Sequence, residues 1–367
     1  MAVKIVRQPK KIALIGAPSS AAGFAAGLEK APGALRAAGL VGRLQSVGYD
    51  VADLGDCAPR LFAQDDEHPR ARNAAEVVAG LNDLRLRVEQ GVKSGALVIV
   101  LGGDCAQSMG VVAGARRYYK RVNLLWIDRD ADLNTPASTP SGRLDGMVVA
   151  AFTGRGAAEL VRFWGEPPLV REPDVTLFGL ERIDPPEQEY MNRSPIRRVL
   201  AVDIQRAGAA AAAKRAAAEM HADAREFALH LDLDVIAEED FPAVPVPGTG
   251  GLRLGEVRDS LSVFLSQPNL VGFDVAQFNP EKDPGGTYAL AVVDMLTDAL
   301  AARFAALAVP GPESAPAGLP AQGPASEVVP EPAVEPAAAA PESAPQAEPQ
   351  AAPESETAPP STGEGES

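Results

Sequence analysis

Six short runs dominated by apolar residues, at 11–15, 97–101, 122–127, 175–178, 228–233 and 270–275, limit what this chain can fold into. A strand with one face in water alternates apolar and polar residues. These runs hardly alternate, so both of their faces must be covered. Between them lie segments of helical periodicity, at 31–47, 74–93 and the alanine-rich 208–220. That alternation predicts one α/β domain, a parallel sheet with helices packed on each side. Functional side chains in such sheets gather at the carboxyl ends of the strands.

Charge separates the chain into two parts. Its 34 Lys+Arg against 49 Asp+Glu give −15, which argues against a surface that wraps nucleic acid. Residues 309–367 hold ten Glu, fourteen Pro and no basic or aromatic residue, so ten of those fifteen charges fall there. Such a segment cannot bury enough apolar surface to offset its ordering entropy. The expectation is a folded body over 1–308 and a disordered acidic Pro/Ala/Glu-rich tail over 309–367. Two cysteines, Cys57 and Cys105, are too few for a disulfide framework and fit a reducing compartment. No apolar run approaches the roughly 18–20 residues of a membrane span. Lys4, Arg7, Lys10 and Lys11 precede the apolar 12–15, but Gly16-Ala17-Pro18 ends that run well short of a secretory core. A cytoplasmic protein with neither membrane nor nucleic acid as partner is expected.

The strand ends carry the chemistry. The run 97–101 leads into Gly102-Gly103-Asp104-Cys105, 122–127 into Asp128-Arg129-Asp130-Ala131-Asp132, and 228–231 into Asp232-Leu233-Asp234. Side chains at i and i+2 share a face of a strand, so each Asp-x-Asp pair projects to one side. Carboxylates ~4 Å apart repel by about 4 kcal/mol per pair at an effective dielectric of 20. Cations must therefore neutralise the cluster, or some groups stay protonated. Oxygen-rich ligand sets suit manganese, magnesium or calcium, and two such ions would activate water for hydrolysis. His230 shares the face of Asp232 and is read as either a ligand or a hydrogen-bonded core residue. His68 and His221 read as surface, Cys57 as a packed thiol, and Arg129 as an internal cation able to pair with the aspartates.

Over nearly all of residues 11–301 the chain resembles the arginase (ureohydrolase) family. Gly102-Gly103-Asp104-Cys105 resembles its Gly-Gly-Asp-His motif, and Asp128-Arg129-Asp130-Ala131-Asp132 its Asp-Ala-His-Ala-Asp motif. Leu231-Asp232-Leu233-Asp234 resembles its Ser-x-Asp-x-Asp motif; Gly250-Gly251-Leu252 and Phe278-Asn279-Pro280 follow in order. The resemblance implies one three-layer α/β domain with an eight-stranded parallel sheet, two manganese ions, and assembly as trimers or hexamers. It places Asp128, Asp130, Asp132, Asp232, Asp234 and Cys105 at the metal-ligand positions. Residues 134–142 look like arginase proper rather than agmatinase. By that likeness Asn134, Ser141 and Asp184 would hold the amino-acid head group of an arginine-like ligand.

The departures from the family fall on its chemistry. Cys105 and Asp130 stand where it has histidine ligands, and Asp145 where it has a proton-shuttling histidine. Gln277 replaces the acid that receives the guanidinium, and Arg143 replaces an asparagine of the substrate loop. Five carboxylates and a soft thiol are poorly suited to a manganese pair, so one ion or none is expected. An aspartate near its reference pKa of about 3.9 is also ill matched to proton transfer at neutral pH. The leading expectation is a catalytically degenerate family member, structural or regulatory, in a homo-oligomer or beside an active paralogue. The alternatives are an active manganese-dependent hydrolase of L-arginine (to ornithine and urea) or a related guanidino or amide compound, and a metal-free amino-acid sensor.

Overall fold

Eight strands pair side by side, all parallel, in the computed structural model, which describes residues 5–220 and 225–308. They are β1 (Lys11–Ala17), β2 (Asp50–Asp56), β3 (Leu97–Gly102), β4 (Asn123–Ile127), β5 (Val175–Leu180), β6 (Arg197–Leu200), β7 (Phe227–Asp232) and β8 (Leu270–Ala276). Their order across the sheet is β2-β1-β3-β8-β7-β4-β5-β6. The six apolar runs of the sequence are the six inner strands, and every residue of β3, β4, β5, β7 and β8 is buried. β2 and β6 are the edges. Their polar, half-exposed sequences (DVADLGD and RRVL) carry no such run, as edges that must stay in water require.

Helices cover both faces. On one, Leu35, Leu44, Leu261, Phe264 and Leu296 close over Ile12, Leu14, Ile99 and Phe273. On the other, Val77, Leu81, Val88 and Val111 close over Ala13, Val98 and Val100. The helix predicted at 74–93 is present as Ala74–Lys93, and that at 208–220 as Ala209–Met220. The single helix predicted over 31–47 is two, Ala31–Ala37 and Leu40–Val47. Gly39, at φ 90°, breaks it, because only glycine takes that left-handed conformation without strain.

Cys57 packs in the core, where burial pushes its thiol up to about 12. His68 is exposed and pairs with Asp65 at 3.0 Å. His221 and the tail lie outside the described residues. Among those residues no helix is long and apolar enough to cross a membrane.

Candidate functional site

The four central strands, β3, β8, β7 and β4, deliver their carboxyl ends to one cleft of about 270 Å³. Cys105, Asp132, Asp232, Asp234 and Gln277 line it, with Asp130, Asp145 and Arg182 beside them. The convergence expected of the two Asp-x-Asp pairs is present. Parallel neighbours end in register, so Ile127 of β4 lies beside Leu231 of β7, and each strand releases its aspartates on the same side.

The acidic residues fall into two groups. In the first, ligand atoms of Cys105, Asp128, His230 and Asp232 all lie within 4.8 Å of one another, and all four residues are buried. Cys105 Sγ donates to Asp232 Oδ2 at 3.0 Å, and Trp126 Nε1 donates to Asp128 Oδ2 at 2.9 Å. The His230 ring stacks on Trp126 with centroids 3.7 Å apart and is 0% exposed. Its Nδ1 meets Asp274 Oδ2 at 2.6 Å and Ser108 Oγ at 2.7 Å, and Ser108 in turn donates to Asp274 Oδ1. Its Nε2 has no hydrogen-bond partner among the described residues.

The second group is Asp128, Asp130 and Asp234, and here a cation is built in. Arg182 follows β5. Its Nε donates to Asp130 Oδ1 at 2.6 Å, while Nη2 reaches Asp130 Oδ2 and Asp234 Oδ2, the latter at 3.2 Å. The fork matches a carboxylate in the bidentate way that favours arginine over lysine. Sequence reading assigned this neutralising role to Arg129, and that expectation is corrected: Arg129 turns to Glu181, with contacts of 2.7 and 2.5 Å. Arg182 sits in a polar loop, where nothing in the sequence distinguishes it from a solvated arginine.

Burial dominates the electrostatics, with neighbouring carboxylates adding to it. Together they push Asp128, Asp132 and Asp232 well above the usual carboxylate range. Asp234 rises only to about 6, since the Arg182 guanidinium opposes burial and Asp130. Burial and Asp104 carry Asp145 to about 8. An aspartate there is thus not ill matched to neutral pH, and the expectation built on its reference value is corrected. Asp145 is nonetheless tied to protein: Oδ1 accepts from Cys105 N at 3.0 Å and Oδ2 from Gln277 Nε2 at 2.9 Å. Gln277, at φ 67°, also donates to Cys105 Sγ at 3.1 Å. Asp104 accepts from Ser19 Oγ at 2.5 Å and from Ala22 N at 3.1 Å, which pins the loop after β1.

Asn134, Ser141 and Asp184 line the same cleft. Asn134 Nδ2 donates to Asp184 Oδ2 at 2.9 Å, and Asn134 Oδ1 accepts from Ser138 Oγ at 2.9 Å. Asp184 caps the helix Pro185–Met191 in a capping box with Glu187. Glu187, which the sequence reading passed over, also accepts from Leu133 N and Asn134 N at 2.8 and 3.1 Å, joining the two loops. Arg143 does not line the cleft. Its Nη1 donates to Gly23 O at 2.8 Å, and its guanidinium lies 4.4 Å from the centre of the Phe24 ring, so the charge expected to face a ligand is turned to the rim.

These residues do not fit two manganese ions. In the second group Arg182 bonds both oxygens of Asp130 and Oδ2 of Asp234, leaving Asp234 Oδ1 without a partner among the described residues, and the first offers a thiol with one imidazole rather than an all-oxygen or imidazole-rich set. A single divalent ion in the first group is chemically reasonable.

The family model described as "Arginase family" matches residues 10–302. The arginase of Bacillus caldovelox is 30% identical over 294 residues, covering 78% of this chain and 98% of that protein. The arginase of Brevibacillus brevis is 30% identical over 277 residues, covering 75% and 92%. The crystal structure of arginase from Bacillus cereus superposes with a TM-score of 0.73 at 29% identity, over 79% of this chain and 98% of that one.

Proposed function

The chain belongs to the arginase family, and from that premise we propose that it keeps the family scaffold and an amino-acid head-group pocket but does not hydrolyse arginine efficiently. Its role in this reading is structural or regulatory, as a subunit beside an active paralogue or as a binder of an arginine-like ligand. One observation carries the reading: the Arg182 guanidinium lies across Asp130 and Asp234, where a second cation would need both carboxylates. A water activated between two metals requires both positions filled. Loss of a positioned acid–base histidine typically costs 10²–10⁴-fold, and the amide at Gln277 removes a charge-assisted bond to a guanidinium.

One observation favours the rival, an active hydrolase: Asp145 at about 8 could exchange protons near neutrality. Its two oxygens are, however, already engaged with Cys105 N and Gln277. Urea release from L-arginine with added manganese separates the two. Turnover below about 1 per second is expected, and rates of about 1–10³ per second, ordinary for enzymes, overturn the proposal. Calorimetry should still detect L-arginine binding, weakened at least tenfold by Asn134→Ala.

A further inference from the structure

We infer that Cys105, Asp128, His230 and Asp232 form a site for one zinc-type cation, with His230 as a ligand that the family's motifs do not supply. The first observation is the cluster: four potential ligand atoms, one per residue, mutually within 4.8 Å and buried. The second is independent of it. His230 is fully buried, its Nδ1 is engaged by Asp274 and Ser108, and its Nε2 has no partner among the described residues. A buried nitrogen left unpaired is costly unless something else bonds it.

The tautomer follows from the network. Ser108 Oγ gives its proton to Asp274 Oδ1, so Nδ1–H donates to Asp274 Oδ2 and Nε2 carries the lone pair. A carboxylate behind an imidazole, fixing the ring and leaving the other nitrogen for a metal, is the usual support of a ligating histidine. Stacking on Trp126 holds the ring plane. One sulfur, one nitrogen and two carboxylate oxygens are the donors that zinc takes in tetrahedral sites, whereas manganese prefers oxygen-rich, larger coordination shells. Cys105 and Asp232 line the open cleft, so an ion that enters from solvent meets two of the four ligands there.

This inference rests on the reading above that Arg182 excludes a second cation, and the test keeps the two apart. The full chain is loaded with equimolar zinc and manganese, gel-filtered and assayed for both metals; a second sample is loaded with cobalt(II). One zinc per chain and little manganese are expected, with cobalt giving a thiolate charge-transfer band and intense tetrahedral visible bands. Cys105→Ser should remove the charge-transfer band. His230→Ala should weaken zinc at least tenfold, and Asp274→Asn, which only supports the ring, by 10–100-fold. Folding of each variant is checked by its melting temperature in chelator. Zinc binding that His230→Ala and Asp274→Asn leave unchanged, or no zinc at all, overturns this inference alone. Two metal ions per chain overturn it together with the reading of Arg182.

Discussion

On the proposed reading Arg182 is the residue that decides which chemistry the cleft supports, because it brings one positive charge to Asp130 and Asp234 where a metal would bring two. Reverting the four divergent motif positions (Cys105→His, Asp130→His, Asp145→His and Gln277→Glu) would rebuild imidazole ligands and shuttle while leaving the guanidinium on Asp234. Groups that act as a unit are non-additive, so partial restoration should give little. The fivefold variant that adds Arg182→Ala is expected to bind two manganese ions and release urea from L-arginine, and the fourfold variant to do neither. Urea release by the fourfold variant would show that Arg182 is no obstacle.

The same aspartates set a pH dependence. With cations chelated, Asp145 and Asp234 keep protons to about 8 and about 6, values well above those of an unfolded aspartate. The folded state then binds more protons than the unfolded one, so stability is fully present below about pH 4 and is lost as pH rises through the folded values. Each such proton contributes a slope of about 1.4 kcal/mol per pH unit. The melting temperature in chelator should therefore fall from about pH 5 to about pH 8, and a flat profile would contradict the buried-carboxylate account. The convergence of these residues was legible in the sequence, since two Asp-x-Asp pairs after apolar runs have few other places to go. Arg182 and Glu187 were not. A loop arginine and a first-turn glutamate look solvated until tertiary structure brings carboxylates and backbone N–H groups to them.

At the level of elements, legibility followed burial. The inner strands are apolar on both faces and announce themselves; β2 and β6 are polar edges and do not. The split of 31–47 into two helices turns on Gly39, where the helical pattern of apolar residues runs on but the backbone does not. A Cβ built at Gly39 meets nothing within 4 Å, so its substitution isolates the conformational cost. Gly39→Ala should destabilise the fold by about 1–2 kcal/mol, the cost of holding an L-residue in the left-handed region. Gly42, inside Leu40–Val47 and equally open, is the control. Gly42→Ala should stabilise by about 0.5–1 kcal/mol through helix propensity. Denaturant midpoints measured side by side read both signs, and equal effects would mean the break at Gly39 is not conformational.

For the whole molecule, the question is where the folded body ends. The last helix, Thr287–Ala308, closes one face of the sheet through Val292, Val293, Leu296 and Leu300. Near its end Arg303 is 4% exposed, and its Nη1 donates to Leu265 O, at the close of the helix Leu254–Leu265, and to Gln267 O at 2.8 Å. A cation bonding terminal carbonyls favours the dipole of that helix as well as satisfying its last acceptors. Phe304 meets Tyr49 edge-to-face with centroids 5.1 Å apart, tying the helix to the start of β2. Beyond Ala308 the sequence has no basic or aromatic residue with which to make contacts of this kind. Removing 309–367 takes away ten negative charges and should leave the melting temperature within a degree or two. Cutting instead after residue 302 removes Arg303 and Phe304, uncovers Tyr49 and leaves the Leu265 and Gln267 carbonyls without their partner. That second truncation should cost about 2–4 kcal/mol, from a lost half-buried aromatic and the Leu265 and Gln267 acceptors left without Arg303. A marked loss of stability already on removing 309–367 would mean that the tail docks on the body and that the fold extends past residue 308.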